Sequence, residues 1–233
     1  MFPGEQFIDH GEDQNKDEAG PDGQPDHMNS EQYFIDEETG QQIPVSELQR
    51  EEGEYTFENG AVYHGQWLGR FRHGYGKQTW PDGAKYEGEW MNNKAHGRGI
   101  FYHVDGDVFD GEWENDKANG FGTYYNVNGS KYEGQWVDDL QEGDGKETWK
   151  DGSIYEGKYS QGQKHGHGRY IWSDGSTYSG DWFNNKIHGP GKYTWADNRE
   201  YTGMWQENKM HGYGHLVWPN GRQYEGEFIN DVK

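Results

Sequence analysis

The sequence has no cysteine. Disulfides, thiol nucleophiles and thiolate metal sites are therefore excluded, and the chain suits a reducing compartment. It is also poor in aliphatic side chains. Hydrophobic residues make up 30% of its 233 residues, and no apolar run approaches the ~20 residues of a membrane helix. Basic residues are scarce: 21 Lys and Arg stand against 42 Asp and Glu, a formal net charge of -21. That balance opposes nucleic acid as a partner and disfavours an anionic membrane, since both require basic surface. The first ten residues carry Glu5 and Asp9 and lack the basic and apolar stretches of a secretory signal, so a cytoplasmic location is expected.

Two abundances run the other way. Aromatic residues reach 16%, with 11 Trp, and there are 37 Gly. Disordered chains are poor in aromatics, so most of this chain is expected to fold around rings instead of aliphatics. The rings are periodic. Tyr63-His64-Gly65-Gln66-Trp67 returns as Tyr86-Glu87-Gly88-Glu89-Trp90, and the motif starts again at Phe109, Tyr132, Tyr155, Tyr178, Tyr201 and Tyr224. Each start follows the last by 23 residues, with no insertion. Gly pairs at 74/76, 97/99, 120/122, 143/145, 166/168, 189/191 and 212/214 keep the same period. So does an Asp-Gly or Asn-Gly dipeptide, replaced once by Asp197-Asn198. A fixed period of this length marks a repeat architecture.

In Tyr-Glu-Gly-Glu-Trp, followed by Asn-Lys-x-His-Gly-x-Gly and Trp-Pro-Asp-Gly, the unit resembles the MORN repeat (membrane occupation and recognition nexus). The resemblance covers about residues 53 to 233, as a half unit, seven full units and a half unit. Departures are Phe109 for Tyr, Tyr159 and Phe228 for Trp, and Asn119 and Glu142 for the His before the Gly pair. The expected fold is all-β: an elongated, single-layer, twisted antiparallel meander of 23-residue hairpins, because no hairpin can bury its own face and the units must add edge to edge. At about 4.8 Å per strand, eight hairpins would extend roughly 75–80 Å.

The turns set the register. A two-residue Asp-Gly loop would place Trp80 and Tyr86 on opposite faces. A three-residue loop, Pro81-Asp82-Gly83, pairs Trp80 with Ala84 and Gln78 with Tyr86 and puts all the rings on one face. The other connection, Asn92-Asn93-Lys94-Ala95, reads as a four-residue loop, with Trp90 opposite Gly97, Gly88 opposite Gly99 and Tyr86 opposite Phe101. Gly is then present to leave room for a neighbouring ring. Every Trp falls at one of two unit positions and is read as core, with a peptide- or carbohydrate-stacking face as the other reading.

Residues 1 to 50 differ. They hold 13 acidic and 2 basic residues, and read as an acidic, mostly irregular tail. Within it, Tyr33-Phe34-Ile35 and Gln42-Ile43-Pro44-Val45 suit a small hairpin, and the segment 33–45 is either a linker or a piece that caps the array or docks on a partner. Tyr33, Phe34 and Ile35 are candidate partner-binding residues. So are Tyr224 and Phe228, on a strand whose edge is expected to pair with a second copy or a neighbouring protein.

No catalytic set emerges, and no metal, cofactor or enzyme activity is expected. Gly152 to Lys158 has P-loop spacing, but it lies on a strand and ends at Tyr159. His73, His96, His165, His188 and His211 recur at one position, with neighbours ~9.6 Å apart or more, too far to share a metal. Asp105, Asp107 and Asp110 lack the further oxygens of a calcium loop and read as turn and exposed-face residues. Asn128-Gly129-Ser130 is a glycosylation sequon that reads as a hairpin turn. Outward positions alternate in charge, with Glu87, Glu133 and Glu156 against Lys77, Lys146 and Arg169 as expected cross-strand pairs. Arg70, Arg72, Lys94, Lys117, Lys164, Lys186 and Lys209 trace one hairpin edge, interrupted by acids.

Two functions follow as expectations. The first is a non-enzymatic scaffold that holds structural proteins at fixed spacing; resemblance to MORN proteins implies a cytoskeletal place, the ciliary axoneme and its radial-spoke head above all. The second is a phosphoinositide-linked adaptor that uses the basic edge. Deleting residues 1–30 should leave the melting temperature nearly unchanged, since they carry too little apolar surface for a core. Deleting 33–45 should instead weaken partner binding or expose the first strand; identical behaviour of the two deletions in melting and pull-down would remove the docking role.

Overall fold

A computed structural model describes residues 28–29, 33–35, 42–44 and 48–233. Every element among them is a β-strand. Met28–Asn29 (β1), Tyr33–Ile35 (β2) and Gln42–Pro44 (β3) make a three-stranded antiparallel sheet, in which Phe34 lies opposite Ile43. The side chains of Tyr33, Phe34 and Ile35, and the remainder of the acidic tail, lie outside the described residues.

The repeats supply sixteen strands: Arg50–Thr56 (β4), Val62–Leu68 (β5), Phe71–Thr79 (β6), Lys85–Met91 (β7), Lys94–Tyr102 (β8), Val108–Glu114 (β9), Lys117–Tyr125 (β10), Lys131–Val137 (β11), Leu140–Thr148 (β12), Ile154–Ser160 (β13), Gln163–Ile171 (β14), Thr177–Phe183 (β15), Lys186–Thr194 (β16), Glu200–Gln206 (β17), Lys209–Val217 (β18) and Gln223–Phe228 (β19). They follow one another in sequence order in one open antiparallel sheet, as the hairpin period requires. The array comprises two compact units, one ending at Gly120 and one beginning at Phe121; both use the same local geometry.

In the unit ending at Gly120, the three-residue loop forms as expected. Trp80 N–H donates to Ala84 O at 2.9 Å, Gly83 N–H donates back to Trp80 O at 3.0 Å, and Gln78 lies opposite Tyr86. Gly83 takes φ 98, where a residue with a Cβ is strained. Asn198 occupies the same loop position at φ 64, which Asn tolerates.

The other connection is shorter than expected. Met91 pairs with Lys94 and Trp90 with Ala95, so the loop is the two residues Asn92-Asn93. Both have positive φ, 53 and 67, as a type I′ turn demands. A bulge over residues 96–98 then restores the expected pairs Gly88–Gly99 and Tyr86–Phe101. Trp90 therefore faces Ala95 within its hairpin and Gly74 across the preceding loop, and Gly97 faces Trp113. The signal lay in the dipeptides Asn92-Asn93, Asn115-Asp116, Asn184-Asn185 and Glu207-Asn208, all with both residues at positive φ.

The second residue of that turn also clamps neighbouring hairpins. Asn93 N–H donates to Arg72 O at 3.1 Å while its Oδ1 accepts Arg72 N–H at 2.8 Å. The pair of bonds recurs between Lys164 and Asn185, Ile187 and Asn208, and Met210 and Asp231. At Gly162 only the backbone half is present, its N–H donating to Gln141 O at 2.9 Å.

Glycine has a packing cause. A Cβ on Gly99 would stand 2.2 Å from the Tyr86 hydroxyl, and one on Gly88 would stand 2.4 Å from the Gly99 Cα. The tyrosine of each unit thus lies flat over its glycine pair and reaches on, its hydroxyl donating to the carbonyl three residues ahead, Tyr86 to Glu89 O at 2.9 Å.

Two substitutions test this frame. Gly134→Val places a branched side chain 2.4 Å from the Tyr132 hydroxyl and 2.7 Å from Asp144 O; overpacking of about 1–3 kcal/mol should lower the melting temperature and expose the Phe121–Lys233 unit to protease. Gly162→Asn should stabilise. Its φ of +74 suits Asn, the nearest atom to a new Cβ is Leu140 Cδ2 at 3.9 Å, and the added Oδ1 completes the clamp. Reduced unfolded-state freedom alone contributes about 0.4–1 kcal/mol, read as a higher midpoint in denaturant melts.

Candidate functional site

Most rings are consumed by the fold. Tyr63, Tyr86, Tyr132, Tyr155, Tyr178 and Tyr201 are fully buried, with Phe109 at the same position. Each tyrosine meets edge-on the ring at the Trp position of its own hairpin and of the next, which is Tyr159 or Phe228 where these replace Trp: Tyr86 stands 5.0 Å from Trp90 and 5.3 Å from Trp113, both at 86°. Such pairs contribute about 0.5–1.5 kcal/mol each beyond area burial. The indole of each Trp at this first position donates to a glycine carbonyl of the preceding hairpin, Trp90 Nε1 to Gly76 O at 3.1 Å and Trp182 Nε1 to Gly168 O at 3.3 Å. Burial pushes the Tyr86, Tyr132 and Tyr155 hydroxyls well above the usual phenol range.

The second Trp position differs from the first. Trp80 is buried, but Trp149, Trp172, Trp195 and Trp218 are only half-buried. The expectation that every Trp is core is corrected for these four. They stand just past strand ends, directly before the three-residue loops, as Trp80 does.

The basic edge is also corrected. Arg72 is 2% exposed. It pairs with Trp67, and its guanidinium lies over Trp90 at 4.5 Å and Phe57 at 5.2 Å, hydrogen-bonded to Gln78 and, at 2.8 Å, to Asn93 O. Lys164 points inward likewise. Its ammonium sits 2.6 Å from Glu147 Oε2, over Trp149 at 4.9 Å and Tyr155 at 5.1 Å. Tyr159 donates to the same carboxylate at 3.0 Å. Both cations occupy the inward position that holds Ala95, Ala118 and Ile187 elsewhere. Lys186 pairs with Glu207 at 3.4 Å. Lys94 and Lys209 are exposed, while Arg70 and Lys117 are half-buried. No continuous basic strip results.

Phe228 fills the Trp position, fully buried and 5.0 Å from Tyr201, whereas Tyr224 is half-buried with its hydroxyl on Glu227 O at 3.1 Å. On the outward face, Lys77 lies opposite Glu87, and Lys146 opposite both Glu133 and Glu156, the alternation the sequence implied. Lys158 and Asp144 meet at 2.8 Å. The exposed-face reading fails for Asp107, which is buried between the loop and the start of β9, its carbonyl accepting His103 N–H at 2.9 Å. Asp105 keeps a turn role, its Oδ1 accepting Asp107 N–H. His73 has its imidazole pulled below the usual range by burial, with Arg50 and His96 adding to that and a bond to Asn92 opposing it. Among the described residues no three His, Asp or Glu side chains converge to hold a metal ion.

The G-box domain of the microcephaly protein CPAP is 15% identical over 77% of this chain and 100% of that one, with a TM-score of 0.37. The TCP domain of Drosophila melanogaster SAS-4 (dCPAP) is 12% identical over 76% and 90%, with a TM-score of 0.42. At such scores neither likeness bears on function. No curated protein matches the chain. The MORN repeat profile, by contrast, matches seven times, at residues 63–85, 86–108, 109–131, 132–154, 155–177, 178–198 and 201–221. With more than half its length in these units, and with the tyrosine, glycine pair and turn of each in the same geometry, the chain belongs to the MORN-repeat family.

Proposed function

We propose that this chain is a non-enzymatic scaffold that holds structural proteins at set intervals within a cytoskeletal assembly, the ciliary axoneme and its radial-spoke head in particular. One observation carries the scaffold reading: sixteen strands follow one another in sequence order, joined by two alternating turn types, without an inserted loop. A repeat of this regularity offers the same surface again at each step, which suits spacing. The placement in a cilium rests on the resemblance to MORN proteins of such structures. A second copy docking at the edge of β19, where Tyr224 is half-buried, belongs to the same proposal. The net charge of -21 and the inward turn of Arg72 and Lys164 both weigh against a lipid partner.

Cross-linking mass spectrometry on the native assembly tests the reading. Exposed Lys94 and Lys209 should cross-link to axonemal proteins, and the chain should leave liposomes containing phosphoinositide at physiological salt. Cross-links confined to the chain itself, together with salt-resistant flotation, would replace the scaffold with the membrane adaptor.

A further inference from the structure

Within Phe121–Lys233, five rings left over from the buried core form a second row. Trp149, Tyr170, Trp172, Tyr193 and Trp195 succeed one another at centroid separations of 5.1, 4.4, 5.0 and 4.7 Å. All five are half-buried. The row runs across the strands: each Trp precedes a three-residue loop, at the ends of β12, β14 and β16, and the tyrosines lie on β14 and β16 between them. Successive tryptophans are therefore two strands apart, about 9.6 Å. The row is confined to these units. Its tyrosine position holds Glu147 before it and Leu216 after it, and its Trp position holds Asn126 and His103 in the preceding units.

Two further features accompany the rings. The first is a set of free donors. Trp136, Trp182 and Trp205 each give their indole N–H to a glycine carbonyl. Trp149, Trp172 and Trp195 give theirs to no protein acceptor, and those atoms are not buried. The second is an acidic rim with the same period. Asp151, Asp174 and Asp197 stand at the middle of the three loops, and Asp151 and Asp174 are exposed. Hydrogen bonds from Ser153 and Ser176 hold these two carboxyls below the usual range, so they are charged at neutral pH. Asp197 is engaged by Arg199 at 2.8 Å. Burial, with the Glu147 charge adding to it, pushes Tyr170 up to about 12, so the rings themselves stay neutral.

One ligand conformation has this period. A polyproline II helix has three residues per turn and rises about 3.1 Å per residue, or about 9.3 Å per turn. A proline at every third position would then meet each Trp–Tyr pair in succession. Its carbonyls, unpaired within the helix, can accept the indole N–H groups, and aromatic rows are suitable surfaces for such chains. The rim selects charge: arginine or lysine between the prolines would face Asp151 and Asp174. The chain's own first 50 residues, with 13 acidic and 2 basic, carry the wrong sign to occupy it.

We propose that this row is a docking track for a basic, proline-rich segment of a partner protein, bound as a polyproline II helix across β12 to β17. The proposal rests on the scaffold reading and names the class of partner for one of its surfaces.

Titration of the full chain by calorimetry and tryptophan fluorescence tests it. The probe is a synthetic peptide with proline at every third position and arginine between, set against a scrambled isomer of the same composition and a version with glutamate for arginine. The periodic basic peptide should bind about tenfold tighter or more than either. Trp172→Leu should lower its affinity by a similar factor. Asp174→Asn, which keeps the turn oxygen for Ser176, should lower it several-fold and flatten its salt dependence. Tyr213→Ala, an exposed ring on the other face of the sheet, serves as the control and should change nothing. Equal binding of the isomers, no binding of any, or unchanged affinity in Asp174→Asn would overturn the track. If it fails while Lys94 and Lys209 still cross-link to axonemal proteins in the native assembly, the scaffold stands without it.

Discussion

The contact on which this structure depends is a phenol ring lying over two glycines. Tyr86 covers Gly88 and Gly99 so closely that a Cβ on either would stand within 3 Å of its hydroxyl or of the facing backbone. From that contact the rest follows. The ring can lie flat only if both strands lack side chains beneath it. The hydroxyl can then reach the Glu89 carbonyl, and the flattened ring leaves its two edges to the indoles of Trp90 and Trp113. Since each ring is gripped by its own hairpin and by the next, a change in spacing at one unit would lift two rings from their glycines. This is a physical reason for the absence of insertions over eight motif starts.

Next to that fixed contact, one pair of inward positions is free to vary, and it varies in compensating ways. Small Ala95 accompanies the ring of Phe101, which fills the space between Trp80 and Trp113. Arg72 accompanies Gln78 and Lys164 accompanies Glu147, each cation resting on aromatic faces. A buried ion pair costs several kcal/mol in desolvation, which its own attraction and hydrogen bonds only partly offset. The Glu147–Lys164–Tyr159 cluster therefore adds little net stability, whereas removing one charge alone would leave the other buried and unpaired. It also coincides with the one hairpin junction where Tyr159 replaces an indole and Gly162 replaces the clamping Asx.

A regular array gives a surface only what its core does not need. Here the core takes the first Trp of the hairpins and the tyrosines that open the motifs from Tyr63 to Tyr201. The second Trp row, the charged outer face and the turn edges remain. Of these, the second row alone combines rings, free donors and charge at one interval, so a partner's recognition falls there more readily than on the scattered cations.

The period, the strand type, the three-residue loop and the burial of the first aromatic row were all legible in the sequence, because each follows from nearest-neighbour rules. Strand alternation assigns the faces, and the Gly after each Asp or Asn assigns the turn. The shorter Asn92-Asn93 turn was legible too, in a dipeptide that tolerates positive φ, but the four-residue reading let the Gly pairs align without a bulge. What only the tertiary structure decided is where the long side chains go. Arg72 and Lys164 sit near the hairpin edge in sequence, as Lys94 and Lys209 do, and would be read alike as a basic trace. A one-position difference in a strand turns a side chain to the opposite face. Whether a cation there stays in water or packs over a ring depends on the space left by residues a whole hairpin away: Trp90 for Arg72, and Glu147 and Trp149 for Lys164. The same reason separates the two Trp positions. Their residue type is identical, but the first lies edge-on against fully buried tyrosines within the strands, whereas the second stands just past a strand end before a loop.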